Sequence, residues 1–170
     1  QDISSMLVAE IAAPQRGNQV IDVCAAPGGK SMHIADLLDG SGMVAARDLT
    51  EYKVGLIEEN ICRTGFQNIR AEQKDATVFD KDSERIADIV IADLPCSGLG
   101  VLAKKTDLKY KMTKEGTESL AKLQREILEV VRNYVKEGGA LVYSTCTINP
   151  AENLENVRWF LDNSPKFEAE

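Results

Sequence analysis

The chain has no apolar run approaching the roughly 20 residues that a membrane span needs, and no basic-then-apolar leader opens it, so a cytoplasmic location and no membrane partner are expected. It has one histidine, His33, and no Cys-x-x-Cys pair, which removes the usual ligand spacings of a zinc site; no metal is expected. An excess of positive charge is also missing. Twenty Lys and Arg face 27 Asp and Glu, giving a net charge of −7, which argues against nucleic-acid binding by the whole surface but leaves room for a local basic patch. Internal repeats and low-complexity segments are absent. Gln1 in place of an initiating methionine points to a fragment.

What is present suffices for one core: 170 residues, 44% of them hydrophobic, fit a single domain. A helix is expected over residues 3–13, stopped by Pro14, and then a strand over 19–23, a Pro/Gly loop and a helix over 30–38. The pattern repeats with a strand at 43–47, a helix at 51–64 ended by Gly65, and strands at 68–72 and 87–92. Leu120, Leu123, Ile127, Val131, Tyr134 and Val135 recur at helical spacing, and this long helix is expected to close at Gly138-Gly139. Strand five follows at 140–144, and Pro150 opens a last helix through residue 161. Apolar strands alternating with helices predict a doubly wound, Rossmann-like α/β fold with a mostly parallel sheet. Ligands of such sheets sit outside the carboxyl ends of the strands, where every motif below falls.

Cys24-Ala25-Ala26-Pro27-Gly28-Gly29-Lys30 is a loop whose glycines allow close backbone approach and which leads into a helix N-terminus. Asp48 lies twenty residues beyond Gly28, where such folds hold ribose hydroxyls, and Asp75 offers an acceptor after strand three. The loop matches neither G-x-G-x-x-G nor G-x-x-x-x-G-K-[ST], so a cofactor with a ribose but no phosphate fits best. Two cysteines end later strands, Cys96 in Asp93-Leu94-Pro95-Cys96-Ser97-Gly98 and Cys146 in Ser144-Thr145-Cys146-Thr147. A lone cysteine usually behaves as a small hydrophobe, whereas this pair suits covalent catalysis on a base. The residues alone do not choose between the two thiols.

With the nine residues from Asp22 to Lys30, Asp-Leu-Pro-Cys-Ser-Gly at 93–98 and Ser-Thr-Cys-Thr at 144–147, nearly the whole chain resembles the catalytic domain of the RNA 5-methylcytosine methyltransferases, the Sun/Nop2 family, in particular its bacterial 16S ribosomal RNA branch. The resemblance implies S-adenosylmethionine as donor, bound by Cys24 to Lys30 with Asp48 on the ribose, Asp75 near the adenine and Asp93 at the reacting end. It makes Cys146 the nucleophile and gives Cys96 proton handling or product release. It further implies an RNA partner, ribosomal RNA first and transfer RNA as the alternative, and a chain acting as a monomer. Residues 1–170 are then the catalytic domain without the amino-terminal RNA-binding region and the closing strands of the family, so cofactor binding with weak or absent methylation is expected of this piece.

The chemistry accounts for each group. A thiolate adds to carbon 6 of cytosine so that carbon 5 can accept a methyl group, and a base then removes the carbon 5 proton before the thiol leaves. Asp93 can hold the ring nitrogen and exocyclic amine, and Lys30 can assist electrostatically or favour the thiolate. Both thiols must then reach the donor's methyl end. Cys24 and Cys62 read as packing residues, His33 as surface or capping, and Trp159 and Phe160 as packing of the last helix onto the sheet. Glu155-Asn156-Val157 matches the acidic tripeptide of DNA cytosine methyltransferases but falls in that helix, where it reads as a solvated face. Lys104, Lys105, Lys109, Lys111 and Lys114 surround Tyr110, opposed by Asp107, and form the one basic segment, a candidate RNA phosphate contact. A thiol hydrolase is disfavoured by the single histidine, and an inactive cofactor-binding module is the remaining alternative.

Overall fold

The computed structural model describes residues 3–101 and 113–169. Its elements are α1 (Ile3–Ala12), β1 (Gln19–Asp22), α2 (Gly29–Leu37), β2 (Met43–Asp48), α3 (Glu51–Thr64), β3 (Ile69–Gln73), β4 (Ala87–Asp93), α4 (Lys114–Val131), β5 (Val135–Ser144) and α5 (Leu154–Asn163), with short 3-10 turns between some of them. The strands form one five-stranded sheet in the order β3-β2-β1-β4-β5, and β1 pairs in parallel with both β2 and β4 while β2 pairs in parallel with β3. This is the expected doubly wound α/β arrangement. β1 lies at the middle, where successive strands depart to opposite sides, and it feeds the glycine loop.

Two compact units make up the chain: Gln1–Asp93 with Val130–Tyr143, and Leu94–Glu129 with Ser144–Glu170. The first holds the sheet apart from its last residue. Val20, Val44, Ala46, Ile89 and Ile91 join Val8 and Ala9 of α1, Ile34 of α2 and Leu38 just after it in its core. The intervening strand residues Ile21, Ala45, Val90 and Ala92 are buried as well, so both faces of the sheet are covered and the strands read as continuous apolar runs. Helix α3 starts on Thr50, whose hydroxyl accepts the Lys53 N–H, and stops at Gly65, which takes a left-handed conformation.

Element positions depart from the sequence pattern at two places. Pro150 opens a 3-10 turn, Pro150–Glu152, and the last helix starts only at Leu154. Helix α4 ends at Val131, a 3-10 turn takes residues 132–134, and Gly138-Gly139 lies inside β5 instead of closing the helix. The reason is steric. A Cβ at Gly139 would stand 2.7 Å from the Asp88 carbonyl oxygen and 3.0 Å from that of Ala87, so only glycine lets β5 approach β4 this closely. At Gly65, by contrast, a Cβ meets nothing within 4 Å and only the backbone conformation is unfavourable. Gly139→Ala should therefore cost about 2–3 kcal/mol and Gly65→Ala only about 1 kcal/mol. Thermal denaturation of the two variants checks this, and equal losses would contradict the close β4–β5 approach.

Candidate active site

Within the first unit, the chemistry-bearing residues lie at the carboxyl ends of the strands. The loop after β1 is held by its own backbone: Ala25 N–H donates to the Arg47 carbonyl at 2.8 Å, Gly28 N–H to the Ala25 carbonyl at 2.6 Å, and Asn60 Nδ2 to the Pro27 carbonyl at 2.9 Å. Gly28 has φ +101° at the start of α2, and no side chain caps that helix. Asp48, at the end of β2, is buried and secures the loop by accepting the Ala26 N–H at 3.1 Å, while its other oxygen accepts the Leu49 N–H and faces Lys53 Nζ at 3.0 Å. Asp75 is exposed after β3, with its carboxyl held below the usual range by the Thr77 hydroxyl and N–H.

A cleft of about 180 Å³ is lined by Cys24, Ala25, Pro27, Gly29 and, at its charged end, Lys30 and Asp93. Lys30 Nζ and Asp93 Oδ2 are 2.6 Å apart there and both are largely buried. Asp22 also lines the cleft. Its Oδ2 accepts the Ser31 hydroxyl at 2.6 Å, and its buried Oδ1 has no hydrogen-bond partner among the described residues. Burial, with Asp93 adding to it, raises the Asp22 carboxyl from its usual 3.8 to about 7. Burial and the nearby Asp22 and Asp48 raise the Cys24 thiol to about 12, so Cys24 is a packing thiol and not a nucleophile.

The second unit brings the two other sequence-predicted thiols together. Cys96 Sγ and Cys146 Sγ are 3.2 Å apart, and the Cys146 N–H donates to Cys96 Sγ at 3.3 Å. The contact with Cys146, and burial after it, push the Cys96 thiol well above the ordinary range, and either sulfur can be the donor in the contact. Their loops are also joined by backbone: Leu94 N–H donates to the Ser144 carbonyl and Gly100 N–H to the Cys146 carbonyl, and a Cβ at Gly100 would stand 2.8 Å from that oxygen.

Other expectations fare differently. Cys62 is exposed, since α3 buries Val54 and Ile57 and turns the Cys62 side outwards; it is not a packing residue. Asn156 is fully buried and not solvated, giving its amide to Gln124 Oε1 at 2.7 Å and accepting from Arg125 Nε at 2.7 Å. His33 faces Glu10 at 3.6 Å. Trp159 packs under Arg125, and Phe160 meets Phe167 edge-on. Lys104, Lys105, Lys109 and Lys111, with Asp107 and Tyr110, lie outside the described residues. Among the described residues no cluster of His, Cys, Asp or Glu could hold a metal ion, and no helix is long and apolar enough to cross a membrane. Sequence reasoning missed the buried Glu152, which accepts from Ser97; the only signal was that Ser97 and Thr147 each follow a cysteine.

The profile of the 16S rRNA methyltransferase RsmB/F family matches residues 9–170. A probable ribosomal RNA small subunit methyltransferase B of Bacillus subtilis is 44% identical over 171 residues, which cover 100% of this chain and 38% of that protein. A tRNA (cytosine(72)-C(5))-methyltransferase of Pyrococcus horikoshii is 36% identical, covering 100% of this chain and 43% of its own length. The crystal structure of NSun6 from Pyrococcus horikoshii with SFG superposes with a TM-score of 0.84 at 34% identity, over 96% of this chain and 41% of that one. The chain thus spans about two fifths of the length of these relatives.

The Asp22 carboxyl carries a consequence for stability. Between pH 3.8 and about 7 the folded chain holds a proton there that the unfolded chain has released, so this group makes stability fall as pH rises through that window and stay low above it. Asp22→Asn removes the effect. Its melting temperature relative to the parent should rise from pH 5 to pH 8, by the equivalent of a few kcal/mol at most, on the order of 1.4 per pH unit. A difference that does not change with pH would contradict the assignment.

Proposed function

The chain belongs to the 16S rRNA methyltransferase RsmB/F family, and from that premise we propose that residues 1–170 are the catalytic domain of an S-adenosylmethionine-dependent enzyme that methylates carbon 5 of a cytosine in RNA. Small-subunit ribosomal RNA is the substrate proposed first, in the bacterial cytoplasm, with the enzyme acting as a monomer without a metal ion. Transfer RNA is the second reading, favoured by the name of the Pyrococcus horikoshii relative.

The cofactor cleft fits this donor in its chemistry. Gly29 lines the cleft without a side chain, and the unpartnered Asp22 Oδ1 offers an acceptor there that a cationic ligand would meet, while Asp48 and Asp75, which do not line this cleft, are assigned to the ribose and the adenine on the family resemblance. When bound, S-adenosylmethionine supplies an electrophilic methyl group. Lys30 and Asp93 are assigned to the reacting end, where the Asp93 carboxyl can hold the amino edge of a cytosine and Lys30 keeps that carboxyl oriented.

The observation that carries the reading is the 3.2 Å contact between the cysteines. We assign to Cys146, the nucleophile that the family resemblance implies, the addition to carbon 6 of the base, with Cys96 beside it. That addition places electron density on carbon 5. After the methyl group is in place, the carbon 5 proton leaves to water held at Cys96. Cys146 then departs as a thiolate, which balances the reaction: its bond to carbon 6 forms and breaks, a methyl group that would leave the sulfur of the bound donor replaces the carbon 5 proton, and that proton passes to solvent.

The test uses the full-length protein, 16S ribosomal RNA or transfer RNA, and labelled donor. Cys146→Ala should lower methyl transfer by about a thousandfold or more. Cys96→Ala should slow product release and accumulate an RNA–protein complex that survives denaturing electrophoresis. Retained transfer in Cys146→Ala, or a stable complex formed by that variant, would contradict the assignment.

A further inference from the structure

Glu152 ends the 3-10 turn Pro150–Glu152 and is fully buried, yet no part of the chemistry above uses it. A carboxyl removed from water is costly unless its oxygens are met by donors. Here Glu152 receives the Ser97 N–H at 2.8 Å, the Ser97 hydroxyl at 2.6 Å, Asn149 Nδ2 at 3.0 Å and Gln124 Nε2 at 3.2 Å. Two of these donors belong to the residue that follows Cys96.

The other cysteine is reached through the same hydroxyl. Ser97 Oγ lies 2.7 Å from Thr147 Oγ1, and Thr147 follows Cys146. With Ser97 donating to the carboxyl, the Thr147 hydroxyl donates to Ser97, and Thr147 in turn accepts the Asn149 N–H at 3.1 Å. Every proton in this chain has one acceptor. Gln124 closes the arrangement by donating from the same amide nitrogen to the Pro95 carbonyl, immediately before Cys96. Ser97 and Thr147 are themselves buried, so water does not substitute for these bonds.

We propose that Glu152 is a positioning residue for the cysteine pair, its buried carboxyl fixing the spacing of Cys96 and Cys146 through Ser97 and Thr147. An S–H donor acts on a neighbouring sulfur only over a few tenths of an ångström, so the clamp decides whether the two thiols share a proton at all. As a contribution to methyl transfer this rests on the function proposed above. The spacing itself does not, and it is measured without RNA or donor.

The measurement is closure of a Cys96–Cys146 disulfide by diamide, followed by peptide mass spectrometry. Each thiol gives up one hydrogen, one sulfur–sulfur bond forms and the diazene is reduced to its hydrazine. The parent chain should close this pair readily. A folded Glu152→Gln, which presents an amide N–H to donors, should close it about fivefold more slowly, the factor expected from losing one net hydrogen bond. Under conditions where circular dichroism shows the variant fully folded, so that unfolded chain does not contribute, the pH profile of Cys146 alkylation should also move towards that of an isolated thiol. Thr147→Ser, which keeps the hydroxyl, should behave as the parent, and Thr147→Val as Glu152→Gln. Parental closure rates in a folded Glu152→Gln would overturn the proposal, as would slowed closure with an unchanged alkylation profile. Should Glu152→Gln not fold, Thr147→Val carries the same test and the same two refuting results. A clamp without methyl transfer would refute the function while leaving the positioning role in place.

Discussion

The buried carboxyl of Glu152 is the constraint on which the second unit depends. Burying it without partners would cost more than most single contacts contribute, and the donors that satisfy it come from Ser97, Asn149 and Gln124, two turns and a helix that are far apart in sequence. Satisfying that one group therefore draws the turn after Cys96 and the turn after Cys146 together. The sulfur contact lies beside this polar network and the backbone bonds from Leu94 to Ser144 and from Gly100 to Cys146. Asn156 extends the network, since it bonds the Gln124 and Arg125 side chains and so ties α5 to α4.

The first unit solves a different problem, that of a loop open to ligand at the centre of a closely packed sheet. Asp48 holds the loop through the Ala26 N–H, and α2 packs its buried face, with Ile34 and Ala35, into the core. The same burial that makes this packing tight raises Asp22 and Cys24 away from their charged forms. Lys30 and Asp93 compensate each other at the edge of the cleft.

The fold was legible because it is written in periodicity. Apolar strands such as Ile89-Val90-Ile91-Ala92 and the capped helix from Glu51 to Thr64 need no tertiary information to identify. Gly138-Gly139 misled because two glycines after an amphipathic run read as a helix stop, and only the carbonyls of Ala87 and Asp88 explain them as a close strand approach. Cys62 misled for a related reason: composition gives a residue's average burial, whereas its face on α3 is set by its neighbours. The glycine loop and both cysteines were recognisable from their motifs. Glu152, Asn156 and Gln124 were not, since polar residues on amphipathic segments are normally solvated and their partners lie some 30 to 55 residues away. The sequence contexts of Cys96 and Cys146 left their order open; the structure brings the two sulfurs to 3.2 Å, and either can donate in that contact.

That order is the central claim, and RNA carrying 5-fluorocytosine at the target position tests it most directly. Fluorine in place of the carbon 5 proton leaves nothing for a base to remove, so the carbon 6 adduct persists and the peptide bearing the nucleotide can be sequenced by mass spectrometry. The expected result is a nucleotide on Cys146 with Cys96 unmodified. A nucleotide on Cys96 would contradict it.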